Sequence, residues 1–501
     1  MEFLHLDIID IALLIFVILC GTFVGMFAGS LPGIGAMVAI VILLPLTYNM
    51  EPLFAILLLL ATYQAAEYGG SISSITLGIP GTPAATATLM DGTPLARSNS
   101  PGKALAYSLT ASTMGGVFGA VILTTLAAPM ASFALQLSAP EFALIGLLGL
   151  AGVGALSSQD ITKSLISVVL GLMAATIGMD DFTGALRFTE GFNGLIDGLN
   201  IIAVITGVFA ISEILTMINK NLNKKRNVDR EGKKVRLSLP EMTKTAKPMG
   251  IGSITGTIMG IIPGIGPGAS SWFAYAIAKK SSKHKEQFGK GSPEGIAAPE
   301  AANNASVGGA LLPLLTLGIP GSAATAVILG AFVIHGIQPG PEVITNEPAL
   351  TYGIFVGFFL TTVAMFITGK ILTPWFARVL TIPASILVPV ILMLSIIGVY
   401  TAQSSYFDVW VALILGLCAF FLIKLRFSIP SFVLAFILGP IIESNVRRSL
   451  IMSDGSYLIF VTRPYSLVIL LMITALILIT IITKLNRNKQ ETTSNSSGIS
   501  S

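Results

Sequence analysis

Charge is the scarcest thing in this sequence. Asp, Glu, Lys and Arg make up 11% of its 501 residues, against roughly a quarter in a typical soluble domain. A water-soluble globule is excluded, because so few charges cannot solvate a surface of that size. Positive charge is missing altogether from the start of the chain, where no Lys or Arg precedes Arg97. The opening "MEFLHLDIID" is acidic and lacks the basic flank of a cleaved signal peptide, so it reads as the lead-in to a retained first helix. Cysteine is almost absent. Cys20 and Cys418 lie in separate apolar runs, which excludes a disulfide framework and a cysteine metal site. The three histidines, His5, His284 and His335, form no pair at metal-ligand spacing. There is no Walker sequence, so direct ATP coupling is not expected. No clear pair of acids, Ser–base pair or metal set marks an intramembrane hydrolase. The expectation is a chain with no enzymatic activity, no cofactor and no metal other than Na⁺.

What is present is apolar. Hydrophobic residues make up 53% of the chain, and residues 11–50 and 466–483 carry no charge at all. Apolar stretches of about 18 residues or more read as transmembrane helices, so the fold class is an all-α polytopic membrane protein. The basic residues concentrate instead in residues 219–247, where ten Lys and Arg stand against Asp229, Glu231 and Glu241. That pattern reads as a cytoplasmic loop beside a lipid bilayer, not as a nucleic-acid site. Lys279, Lys280, Lys283, Lys285 and Lys290 form a second basic cluster. The implied division is membrane repeat 1 at 1–218, the basic loop at 219–247, membrane repeat 2 with C-terminal helices at 248–485, and a disordered tail at 486–501. Some apolar segments, such as 36–47 and 323–336, are too short for a core about 30 Å thick. They suggest half-helices or re-entrant hairpins. Residues 248–278 are uncharged, broken by "PGIGPG", and flanked by basic clusters on both sides. A hairpin with two arms of about 14 residues, each reaching about 20 Å from the cytoplasmic face, fits both facts.

Two helix-breaking phrases occur twice in the same order. "PGIG" stands at 32–35 and 263–266, and "TLGIPG" at 76–81 and 316–321. Around the second phrase, "SITLGIPGTPAATATL" (74–89) and "LLTLGIPGSAATAVIL" (314–329) match at eight positions with a fixed offset of 240. An internal duplication explains this better than chance. Repeat 1 follows an acidic start and repeat 2 a basic loop. Opposite flanking charge points to an inverted-topology repeat, a plan common in secondary transporters.

A helix broken inside a bilayer leaves backbone groups that must find partners or line a wet cavity. The N-terminus of a half-helix presents free N–H groups and a positive dipole end, where anions bind. Candidate substrate-binding residues are therefore Gly78, Pro80, Gly81, Thr82 and Thr86, with Gly318, Pro320, Gly321, Ser322 and Thr325 in the second copy. Freed carbonyls and nearby hydroxyls suit a small cation. The candidate coupling-ion residues are Pro32, Gly33, Gly35, Ser73 and Ser74, with Pro263, Gly264, Gly266, Ser270 and Ser271. Gly and Pro also make kinks and close packing with no ligand, but a duplicated pair of phrases favours function. Asn303 and Asn304 can bind a carboxylate through NH₂, bind an ion through C=O, or cross-link helices. Glu67, near the end of an uncharged run, is either functional or at a water interface. Asp91 in "MDGTPLA" reads as a loop residue beyond the half-helix.

"GSLPGIG", "SITLGIPGTPAATATLMDG", "GIIPGIGPGASS" and "LTLGIPGSAATAVILGA" together resemble the large membrane subunit of the tripartite tricarboxylate transporters, the TctA family. The resemblance extends to about residue 465. It implies a multi-pass secondary transporter of organic acids in a bacterial inner membrane, driven by Na⁺ or H⁺. It also implies two partners: a periplasmic solute-binding protein (TctC-like) and a small four-helix membrane subunit (TctB-like). Citrate and related tricarboxylates are implied by the family's name. The expected mechanism places a carboxylate anion between the two "TLGIPG" breaks, with cations on freed carbonyls and an elevator-like movement of the hairpins. A passive anion channel or a non-transporting scaffold is the alternative class.

Overall fold

The computed structural model describes residues 7–31, 34–156, 161–180, 182–219, 237–379 and 384–478. Most of the basic loop (220–236) and the tail expected to be disordered (486–501) lie outside the described residues, as do Pro32 and Gly33. The first half runs through α1 (Ile8–Ser30), α2 (Gly35–Leu43), α3 (Pro52–Leu77), α4 (Ala85–Ser98), α5 (Pro101–Ala134), α6 (Ala139–Leu156) and α7 (Ile161–Ala175). A two-stranded hairpin, β1 (Gly178–Met179) and β2 (Leu186–Arg187), follows. Then α8 (Ile201–Ile205) passes through a π-helical stretch into α9 (Ser212–Asn219). The second half begins with α10 (Leu239–Ile261), α11 (Gly266–Ser281), α12 (Pro293–Leu317), α13 (Ala323–Ile334), α14 (Pro341–Asn346) and α15 (Pro348–Val379). It ends with α16 (Ala384–Gln403), α17 (Tyr406–Lys424), α18 (Ile429–Met452), α19 (Ile459–Thr462) and the apolar helix Pro464–Leu478. Eight helices among the described residues are long and apolar enough to cross a membrane: α1, α3, α5, the continuous stretch Ile201–Asn219, α15, α16, α17 and α18. The chain is an all-α polytopic membrane protein.

Helix starts follow local chemistry. Pro52, Pro101 and Pro293 sit in first turns, where a missing N–H costs nothing. Ser100 and Ser292 cap α5 and α12 through their hydroxyls, which accept from the amides of Lys103 and Gly295. The expected hairpin at 248–278 is formed by α10 and α11, and Lys247 Nζ donates to the carbonyl of Ser281 at 3.3 Å, so both arms open at one end. Its arms are unequal, however. The first has 23 residues and the second 16, instead of two of about 14. The capping box of Ser238 and Glu241 starts α10 inside the basic flank, well before the apolar run.

Close packing between helices depends on absent side chains. Gly21, Gly25 and Gly29 of α1 lie on the backbone of α3, and a methyl group on Gly25 or Gly29 would overlap the carbonyl of Thr62 or Ala66. Gly252, Gly256 and Gly260 of α10 lie in the same way on α12, against Ala298, Ala302 and Ser306. Lipid tails leave no hydrophobic force between helices, so this close van der Waals contact holds the pairs together. The contacts rise together along both members, so α1 runs parallel to α3, and α10 parallel to α12. Between halves the sense reverses. Ser71 meets Glu300, while Gln64, earlier on α3, meets Asn304, later on α12. The helices α3 and α12 are therefore antiparallel. Both are enclosed by protein, with every residue buried from Leu53 to Ile75 and from Gly295 to Thr316.

Candidate functional site

The polar centre of the molecule lies where α3 crosses α12. Glu300, fully buried, accepts from four hydroxyls supplied by three helices. Ser71 of α3 and Thr88 of α4 donate to Oε1. Ser108 and Ser112, one turn apart on α5, donate to Oε2 at 2.9 and 2.8 Å. Nearby on α3, Gln64 donates to Thr362 Oγ1 at 2.6 Å and accepts from Thr361 Oγ1 at 2.9 Å, both on α15.

Glu67 is differently placed. It is 5% exposed, its carboxylate meets the side chains of Thr82 and Asn303, and its Oε2 has no hydrogen-bond partner. Asn303 and Asn304 are 1% and 0% exposed. Their amide nitrogens donate to the carbonyls of Glu67 and Gln64 at 3.2 and 3.0 Å, which leaves both Oδ1 atoms unpartnered. No Lys or Arg among the described residues pairs with Glu67 or Glu300.

The doubled phrases build matching breaks. Gly78 and Gly318 close α3 and α12 in the left-handed region, at φ 69° and 71°, which only glycine adopts without strain. The chain then doubles back past Pro80 and Pro320. The amide of Gly81 donates to Gly70 O at 3.2 Å, and that of Gly321 to Ala310 O at 3.4 Å. Each "TLGIPG" meets the "PGIG" side of its own half. A methyl group on Gly81 would overlap the Gly29 carbonyl, and Gly35 packs beneath Gly81. Correspondingly, Gly264 N donates to Gly321 O at 3.0 Å, and Gly266 faces Ser322. Pro263 contacts Gly152 of α6 through its carbonyl. Gly35 and Gly266, both at φ 64°, open α2 and α11.

The two "TLGIPG" phrases face different neighbours. No hydrogen bond among the described residues joins them. The first break faces α11 instead, where Gly268 packs on Pro83 and Trp272 Nε1 donates to Thr86 Oγ1 at 2.9 Å. In the other direction α2 packs on α13. The starts of α2 and α11 have no side-chain cap, whereas at α4 the amide of Ala85 donates to Thr82 Oγ1 at 3.4 Å. The start of α13 has one, because Ser322 and Thr325 form a capping box and Tyr63 OH lies 3.1 Å from Ser322 Oγ. Residues 76–80 and 263–269 retain partial exposure, whereas 318–322 are buried. The four serines picked out for ion binding donate to backbone carbonyls: Ser73 to Gly70, Ser74 to Ala85, Ser270 to Gly266, and Ser271 to Pro267 and Pro299.

Asp91 corrects a sequence expectation. It lies inside α4, fully buried, and not in a loop. Its Oδ1 accepts the amides of Gly289, Gly291 and Ser292 at 2.9, 2.9 and 2.7 Å, and its Oδ2 accepts Tyr275 OH at 2.9 Å. One side chain thus ties α4, α11 and the turn before α12 together.

A family model described as Tripartite tricarboxylate transporter TctA family matches residues 15–434. The chain belongs to that family. The TctA chain is 36% identical over 444 residues to an uncharacterised 52.8 kDa protein in the TAR-I ttuC' 3' region of Agrobacterium vitis, spanning 89% of this chain and 88% of the relative. It is 39% identical over 195 residues to an uncharacterised protein in the TAR-II ttuC' 3' region of the same organism, spanning 39% of this chain and 81% of the relative. No solved structure matches. The TctA family is one of transporter subunits, not enzymes, and membership makes the chain the large membrane subunit of a system with further subunits. Chemically, the TctA fold offers two things at its centre. One is a set of uncapped helix starts that favour anions, and the other is a pair of buried carboxylates that repel them.

Proposed function

We infer that this chain is the translocating subunit of an ion-gradient-driven importer of organic acids, with tricarboxylates such as citrate as the substrate class. It works in a bacterial inner membrane, with the basic residues of 219–247 and 279–290 on the cytoplasmic face. A periplasmic solute-binding protein delivers the acid, and a small four-helix membrane subunit completes the assembly. Repeats 1–218 and 248–485 arose by duplication in inverted topology. The antiparallel crossing of α3 and α12, with parallel glycine-laddered partners in each half, supports that origin.

The observation that carries the reading is the pair of junctions between half-helices of opposite halves. At one, the start of α4 meets the start of α11 and both retain exposure. At the other, α2 meets α13 and the break is buried. Two equivalent junctions with unequal access are what alternating access requires. The carboxylate sits at these helix starts, against Gly78, Pro80, Gly81 and Thr86, and in the other junction against Gly318, Pro320, Gly321, Ser322 and Thr325. Backbone N–H groups and hydroxyls hold it without a buried arginine. Thr82 and Asn303 stand instead beside Glu67, where a second negative charge would be repelled, and Asn304 holds the Gln64 carbonyl one turn away. The test is gradient-driven uptake in proteoliposomes with and without the receptor protein. Uptake that is saturable and needs both receptor and gradient is expected. Non-saturable flux without a gradient would make the chain a channel.

A further inference from the structure

We propose that Glu67, Thr82 and Asn303, with Asn304 beside them, form a sodium site at the crossing of α3 and α12. The proposal deepens the transport reading above and rests on it. Three buried oxygens in this region have no partner: Glu67 Oε2, Asn303 Oδ1 and Asn304 Oδ1. Buried polar atoms are rarely left so, and each such atom asks for an explanation. All of them are acceptors. No lysine or arginine among the described residues pairs with Glu67, and the amide nitrogens of Asn303 and Asn304 donate to carbonyls of α3. What fits a set of carboxylate and carbonyl oxygens is a hard cation.

Charge gives the same answer. Glu67 and Glu300 lie in one protein-enclosed crossing, and no basic side chain among the described residues pairs with either. Glu300 is already filled, since four hydroxyls occupy its oxygens. Glu67 is the carboxylate with an oxygen to spare. A proton on Glu67 would satisfy Oε2 and at most one acceptor beside it, leaving the other amide oxygen bare. A sodium ion can meet several oxygens at once. Both amide nitrogens of Asn303 and Asn304 are already committed to carbonyls of α3, which fixes the two Oδ1 atoms as acceptors.

The position gives the ion a function. Thr82 belongs to the first break, and its side chain packs on Gly70 of α3. Asn303 belongs to α12 of the other half. A cation held by Glu67, Thr82 and Asn303 therefore joins the first break to the opposite repeat and neutralises the carboxylate nearest the anion. An organic acid would meet a less repelling site with sodium bound than without it.

Binding of radioactive sodium to the purified full-length chain in lipid nanodiscs tests this, with potassium as competitor. Saturable binding that potassium does not displace is expected. Glu67→Gln should abolish it and Asn303→Ala should weaken it by about tenfold or more. Sodium should also raise the thermal stability of the wild-type chain, and not that of Glu67→Gln. No saturable binding by the wild-type chain overturns the site, and this result does not depend on any variant folding. Wild-type affinity in both variants overturns it as well. Failure here is distinct from failure of the transport reading. Receptor-dependent uptake driven by protons in sodium-free vesicles, beside absent sodium binding, removes the sodium site and keeps the transporter.

Discussion

Replacing Asp91 by alanine removes one carboxylate and leaves four donors without it. Three are backbone amides, of Gly289, Gly291 and Ser292, and the fourth is the hydroxyl of Tyr275. Hydrogen bonds to a charged group contribute about 1.5–3 kcal/mol each, and a buried donor left bare costs about 1–3. The four do not add in full. Gly289 is exposed and regains water, whereas Ser292 is buried and does not. A loss of about 4 kcal/mol for Asp91→Ala follows, at the upper end of single substitutions. Asp91→Asn keeps an acceptor for the amides and loses only the charge, for about 1–2 kcal/mol. Thermal unfolding of the purified protein should rank wild type above Asn and Asn above Ala. Limited proteolysis should open residues 282–292 in the alanine variant. Tyr275→Phe should destabilise the wild-type chain by about 1 kcal/mol and add almost nothing to Asp91→Ala, because the two share one bond. An alanine variant as stable and as protease-resistant as wild type would refute the reasoning. So would an asparagine variant as damaged as alanine.

Other consequences are equally direct. Gly81→Val and Gly321→Val drive side chains into the Gly29 and Gly260 carbonyls and should each cost about 3 kcal/mol or more along with uptake. Gly250→Ala, on open surface within α10, should stabilise by about 0.5–1 kcal/mol, read by the same thermal assay. Arg463 Nε donates to the buried Glu141 carboxylate at 2.8 Å, so Arg463→Leu should cost about 2–3 kcal/mol and Glu141→Gln on that background should recover part of it. Two carboxyls outside the spanning helices predict the acid limb. The Lys103 ammonium with Ser238 holds Glu241 at about 2, and the Phe182 amide with Arg447 holds Asp180 at about 2. Both folded values lie below the ordinary ones, so the stability they contribute is full above about pH 5 and lost as pH falls toward about 2. Unfolding temperatures that change between pH 7 and 5 but not below would contradict that assignment.

How much of this was legible in the sequence differs from one element to the next. The apolar runs announced the spans, and the doubled "PGIG" and "TLGIPG" marked the helix breaks, because Gly and Pro act locally. Asp91 looks like a loop residue for the same reason. "DG" followed by Pro94 has the look of a turn, yet α4 continues through it, since Gly92 packs beneath Ile75 and buried bonds to Asp91 hold the helix. The four hydroxyls around Glu300 come from positions 71, 88, 108 and 112, with no spacing that a chain-wise reading detects. The glycine ladders are detectable in the sequence. Gly21, Gly25 and Gly29 recur as Gly252, Gly256 and Gly260 at the offset of 231 that also separates the two "PGIG" phrases. The pairing of the breaks was not detectable at all. Which half-helix meets which depends on the antiparallel crossing of α3 and α12, a property of tertiary packing.

The measurement that bears most directly on the account is uptake of labelled citrate into proteoliposomes carrying this chain and the small membrane subunit proposed for it. Sodium or proton gradients would be imposed, with and without the receptor protein. Saturable uptake that requires the receptor and an inward sodium gradient, and is lost in Glu67→Gln, is the predicted result. Uptake of organic acids that ignores both gradients, or proceeds without the receptor, would contradict the account.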